Sequence, residues 1–136
     1  MTILIGVILF IAAIIDIKSK KVNIGLVIVL GLFCVFSVIL NKNVNIWEIS
    51  GGIAIGLSMI GLSLITNNQI GKGDGMVIAM LGIALGFRDC LMVMSLASVI
   101  MAFLSIVLLI VKKANKKTRL PFIPALFISF VTINLI

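Results

Sequence analysis

The sequence predicts an all-α integral membrane protein, a polytopic bundle of about six transmembrane helices with its N-terminus outside, forming one domain over residues 1–136. Three observations carry that expectation. Hydrophobic residues make up 62% of the chain and charged residues only 11%, whereas soluble domains carry about a quarter charged residues. Apolar runs long enough for helical spans alternate with short polar gaps. The 11 Lys and Arg residues behind the net charge of +7 sit in those gaps, so the charge reads as a topology signal and not as a nucleic-acid surface.

Taken in order, Met1 to Ile15 is apolar with its lysines behind it, the reverse of a secretory signal peptide. It reads as a first span. Spans two and three run about Ile24 to Leu40 and Ile46 to Ile65, with Trp47 at an interfacial position. Asn67-Asn68-Gln69 leads into Gly71-Lys72-Gly73-Asp74-Gly75-Met76, where three glycines, a lysine and an acid interrupt the apolar pattern. The fourth run, Met76 to Phe87, is short against the roughly twenty residues of a typical span. Charge makes it a crossing and not a re-entrant segment. With six spans, the inner gaps hold Lys18, Lys20, Lys21, Lys72, Lys112, Lys113, Lys116, Lys117 and Arg119, and the outer gaps only Lys42 and Arg88, as the positive-inside bias requires. The fifth span runs from Cys90 to Val111 and the sixth from Pro121 onward.

Gly52-Ile-Ala-Ile-Gly56 and Gly82-Ile-Ala-Leu-Gly86 are small-xxx-small patterns that let helices three and four pack closely. Cys34 and Cys90 lie inside apolar runs and read as packed hydrophobes, with neither a disulfide nor a metal site implied. Histidine is absent, which removes HExxH zinc proteolysis and Ser-His chemistry. Ser19 and Lys20 are mere sequence neighbours. What remains is four carboxylates, Asp16, Glu48, Asp74 and Asp89, of which the topology brings Asp16 and Asp74 to the inner face and leaves the others outside.

Two carboxylates at one site share a proton, so one can activate water while the other protonates or hydrogen-bonds the developing oxyanion. That is aspartic proteolysis in outline, and it needs no cofactor and no metal. Asp74 precedes span four, where the helix dipole favours charge, and Asp16 closes span one, where it does not; Asp74 is thus the expected resting base and Asp16 the resting acid. Other readings exist for each part alone. Glycine-rich turns join many membrane helices, and an acid at a helix end commonly pairs with a nearby lysine.

These residues resemble the type IV prepilin peptidases, including the archaeal preflagellin peptidases, which are GxGD intramembrane aspartyl proteases. Asp16-Ile-Lys-Ser-Lys-Lys-Val22-Asn23 resembles the family's first acid with its basic stretch and Ile-Pro-Asn-like helix start. Gly71-Lys72-Gly73-Asp74 matches the second-acid motif, and Leu120-Pro121-Phe122-Ile123-Pro124-Ala125 resembles the Pro-Phe-Gly-Pro element that opens the last helix. The proline before Asn23 is missing, Gly75-Met76 stands for Val-Lys, and Ile123 stands for a glycine; on residue type alone Pro121 and Pro124 also read as first-turn prolines.

The resemblance implies an Asp16–Asp74 dyad, supported by Gly71, Lys72, Gly73, Pro121 and Pro124, that removes basic leaders from prepilin-like precursors at the cytoplasmic face of the plasma membrane. The cysteine-rich methylation region of larger members has no counterpart here, so peptidase without methyltransferase activity is expected. The expected partners are such precursors and membrane lipid, with no nucleic acid. A small proton- or cation-coupled transporter or channel subunit is the alternative, although transporter acids usually sit near the midplane.

Overall fold

The computed structural model describes residues 2–19, 23–41, 43, 45–67, 71–111 and 120–136. Lys20, Lys21, Val22, Lys42, Asn68, Gln69 and the basic stretch 112–119 lie outside the described residues. Among those described, every regular element is a helix: α1 (Thr2–Ser19), α2 (Ile24–Leu40), α3 (Ile46–Ile65), α4 (Lys72–Ile110) and α5 (Ile123–Leu135). Three of them, α1, α3 and α4, are long and apolar enough to cross a membrane, while α2 and α5 are shorter apolar helices.

Local chemistry sets the ends of these helices. Asn23 caps α2, its Oδ1 accepting the Gly25 N–H at 3.1 Å. Pro124 stands in the first turn of α5, where a missing N–H costs nothing. After α3, the Thr66 N–H bonds back to Leu62 O, and Asn67 turns the chain with φ of 52°.

The helix α4 is two rods. Gly86 has φ 82° and ψ 177°, a backbone state essentially reserved for glycine. The chain folds back there: Cys90 Sγ lies 3.8 Å from Ile78 O, although twelve residues of straight helix would separate them by about 18 Å. The sequence expectation of two runs joined near Arg88 is corrected in detail, since the break is at Gly86 itself and Arg88 and Asp89 are already helical.

The helix register follows from named contacts. Gly52 of α3 faces Gly82 of α4 backbone to backbone, Gly56 faces Ala79, and Gly75 faces Ile60, so α3 and the first rod of α4 run antiparallel at very close approach. Gly31 of α2 faces Met80, and Val27 and Val77 line one small cavity, so α2 runs parallel to that rod and both helices start at about one level. Phe10 stacks on Phe127 with ring centroids 5.3 Å apart and Gly6 faces Phe130, so α1 and α5 are antiparallel. Thus the end of α1 and the beginnings of α2, α4 and α5 gather at one end of the bundle.

Apolar side chains fill both the interior and the exterior, unlike those of a soluble domain. The interior holds residues such as Leu9, Leu30, Ile78, Leu81 and Leu126, yet large apolar side chains also cover the outside, with Leu32 67% and Phe103 69% exposed. A surface of that kind suits lipid and not water. Trp47 stands 83% exposed in the first turn of α3, the placement of an interfacial anchor.

Candidate active site

Asp16 lies in the last turn of α1 and is 5% exposed. The antiparallel packing of α1 on α5 brings the first turn of α5 over it, and its carboxylate takes a hydrogen bond from the Ile123 backbone N–H. Its Oδ2 is buried with no partner among the described residues. A buried carboxylate oxygen left unpaired is costly, so the fold holds a polar atom in reserve at this point.

Asp74 occupies the first turn of α4, three residues after the N-cap Gly71. The Gly71-Lys72-Gly73-Asp74 stretch is therefore the opening of a helix and not a loop, and α4 begins four residues before the expected Met76. The Asp74 and Gly75 N–H groups both bond to Gly71 O, at 3.1 and 3.4 Å. The Asp74 side chain folds back over Gly71, where a Cβ would stand 2.9 Å from Oδ2. Glycine at position 71 leaves the space in which that carboxylate rests. Lys72 is exposed and Gly73 half-buried, and Gly75 seats this turn against Ile60 of α3.

The two acids share one end of the bundle, and Glu48 belongs to the other, against Gly86. No Cα of α1 comes within 8 Å of α4. Asp16 and Asp74 are consequently held on separate walls, linked through α2 and α5. Between the walls is a small cavity of about 10 Å³, bounded by Ala12 and Ile15 of α1, Asn23 and Val27 of α2, Val77 of α4 and Ile123 of α5. Ala12 lies one turn before Asp16 and Val77 one turn after Asp74, so the cavity sits about one helical turn from each acid, and neither acid lines it. The volume is that of about one oxygen-sized group.

A second, larger cavity of about 230 Å³ is wholly apolar in its side chains and lies between Ile17, Met101, Leu104, Pro121 and Pro124. Pro121 precedes α5 and Pro124 lies in its first turn, so the pair shapes both this cavity and the turn that binds Asp16. Ser19 Oγ donates to Ile15 O at 2.9 Å, which engages the hydroxyl in the helix. Among the described residues no group of three or more Cys, His, Asp or Glu could hold a metal ion.

The profile of the type IV leader peptidase family matches residues 3–106. The chain belongs to that family. The matched stretch contains Asp16, Asn23 and Gly71 to Asp74, whereas Pro121 and Pro124 lie beyond it. Comparison with curated proteins and with solved structures gives no match. For a type IV leader peptidase, sequence reasoning gave Ile123 no contact with Asp16, which its backbone N–H meets, and placed Asn23 only at a helix start. Only Asn23 carried a signal, an amide residue directly before an apolar run.

Proposed function

We propose that this type IV leader peptidase is a membrane aspartyl endopeptidase that removes the short basic leader from prepilin-like precursors at the cytoplasmic face of the plasma membrane. What supports the reading is that Asp16, at the end of α1, and Asp74, at the start of α4, share one end of the bundle, with Asp16 Oδ2 buried and without a partner among the described residues. In this reading the chain crosses the membrane six times with its N-terminus outside, and the gap opens at the inner face.

Asp74, at the positive end of α4, acts as the resting base and takes a proton from water. The water oxygen attacks the peptide carbonyl carbon. Asp16 gives its proton to the carbonyl oxygen as the tetrahedral gem-diol forms. The proton that Asp74 took from water then passes to the departing amine, and as the C–N bond breaks Asp16 recovers its proton from a gem-diol hydroxyl, which restores the resting pair. With no Cα of α1 within 8 Å of α4, a locally extended substrate strand enters between the two helices and brings water, carbonyl and both acids together. A basic leader followed by an apolar helix places its junction at this interface. The reaction in this reading uses no cofactor.

The test is co-expression with a prepilin-like precursor from the same genome, following precursor mobility and the new N-terminus for wild type, Asp16→Asn and Asp74→Asn. Cleavage just before the apolar segment, reduced about 10³-fold or more by either substitution with the variants still in the membrane, is expected. Cleavage that survives either substitution overturns the dyad. No cleavage of any precursor, together with proton flux in liposomes, favours the transporter reading.

A further inference from the structure

The small cavity one helical turn from Asp16 and from Asp74 has one polar side chain on its wall. Ala12, Ile15, Val27, Val77 and Ile123 contribute aliphatic surface, and Asn23 contributes an amide. That amide is already oriented. Its Oδ1 is fixed by the Gly25 N–H as the cap of α2, which leaves Nδ2, a donor with two hydrogens, without a partner among the described residues. The backbone N–H that also borders the gap, from Ile123, is engaged by Asp16. The mouth is formed by Asn23 and Ile15, which are exposed and half-buried, while Ala12, Val27, Val77 and Ile123 close the floor.

Resting on the peptidase reading above, we infer that Asn23 is a substrate-binding donor of this site, its Nδ2 hydrogen-bonding the carbonyl oxygen of the peptide bond being cleaved. The gap accommodates about one oxygen-sized group, which is what a carbonyl presents. The parallel start of α2 and α4 sets Asn23 level with the first turn that bears Asp74. Charge builds on that oxygen as water adds, so a donor held ready by a helix cap stabilises the transition state more than the ground state. One side-chain group therefore serves twice: Oδ1 starts the helix, and Nδ2 meets the substrate.

Capping and donation separate by substitution. Asn23→Ser and Asn23→Asp both keep good N-caps, but neither retains the amide donor. With wild-type enzyme cleaving a prepilin-like precursor in detergent, both variants are expected to keep the thermal midpoint within a few degrees. Each should lose about 10²-fold in kcat with KM changed less than about threefold. If both variants keep near-wild-type kcat, Asn23 is a cap alone and the inference is overturned. If Asn23→Ser loses kcat only in step with a large fall in thermal midpoint, the role is structural and the inference is likewise overturned. Failure of the wild type to cleave removes the peptidase reading and this one with it, an outcome distinct from cleavage that is indifferent to Asn23.

Discussion

Gly71 and Asp74 occupy each other's space: the carboxylate of Asp74 lies where a side chain on Gly71 would project, 2.9 Å from the position of a Cβ. The Gly-x-Gly-Asp order thus has a local cause. An acid three residues into a helix folds back toward the N-cap, as in a capping box, and a glycine at the cap leaves the room. Gly71→Ala is expected to push the carboxylate out of this position. The precursor assay should show at least a tenfold loss of cleavage, with a stability cost of only about 1 kcal/mol for the poorer cap.

Gly52 and Gly82 meet backbone to backbone, so a methyl group on either has no flexible neighbour to displace. Gly52→Ala and Gly82→Ala should each destabilise by about 2 kcal/mol or more, because α3 and α4 must separate. Gly61, with nothing within 4 Å of its Cβ position, is the control. Gly61→Ala should be neutral or stabilising by about 0.5 kcal/mol through helix propensity. Thermal unfolding in one detergent ranks the three.

At Gly86 the penalty is conformational. With φ 82° the backbone disfavours any other residue, and a Cβ would also stand 3.2 Å from Glu48 Oε2. Gly86→Ala should cost about 1–3 kcal/mol. Its signature is loosening of the hairpin, read as faster maleimide labelling of Cys90, which is 2% exposed in the folded chain.

Asp16 should be a site where function opposes stability. Its Oδ2, without a partner among the described residues, is an unfavourable burial, which the proposed catalytic role explains. Asp16→Leu removes both oxygens, and its thermal midpoint should equal or exceed that of wild type while cleavage is lost. A large drop in midpoint would instead make the carboxylate a structural brace for α5.

The runs of apolar residues and the gaps between them set out most of the helices in advance, because lipid demands length and hydrophobicity over a continuous stretch. The fold-back at Gly86 was concealed for the same reason. Gly82 and Gly86 form one small-xxx-small pattern, yet Gly82 serves close packing and Gly86 serves a reversal, and pattern does not separate the two. The glycine stretch before Met76 read as a loop because glycine is a poor helix former, whereas the N-cap geometry of Gly71 and the fold-back of Asp74 make it a helix start. The two acids were legible as the candidates, since so few carboxylates exist. Ile123 was not, because its contribution is a backbone N–H supplied by packing between distant segments.

The orientation of the bundle is open to labelling. In a Cys34→Ser, Cys90→Ser background, single cysteines at Asn43 and Arg88 should react with an impermeant maleimide from outside intact cells, and one at Lys72 only after permeabilisation. The reverse pattern would put the acids on the outer face and refute the cytoplasmic assignment.

Asp16 and Ile123 are 107 positions apart, yet the hydrogen bond between them joins the end of one helix to the start of another. During synthesis the acid enters the bilayer long before the turn that holds it has been translated. Any chemistry that depends on a positioned Asp16 therefore begins only after α5 has docked, and a nascent chain, however well its earlier helices have inserted, stays harmless to its neighbours.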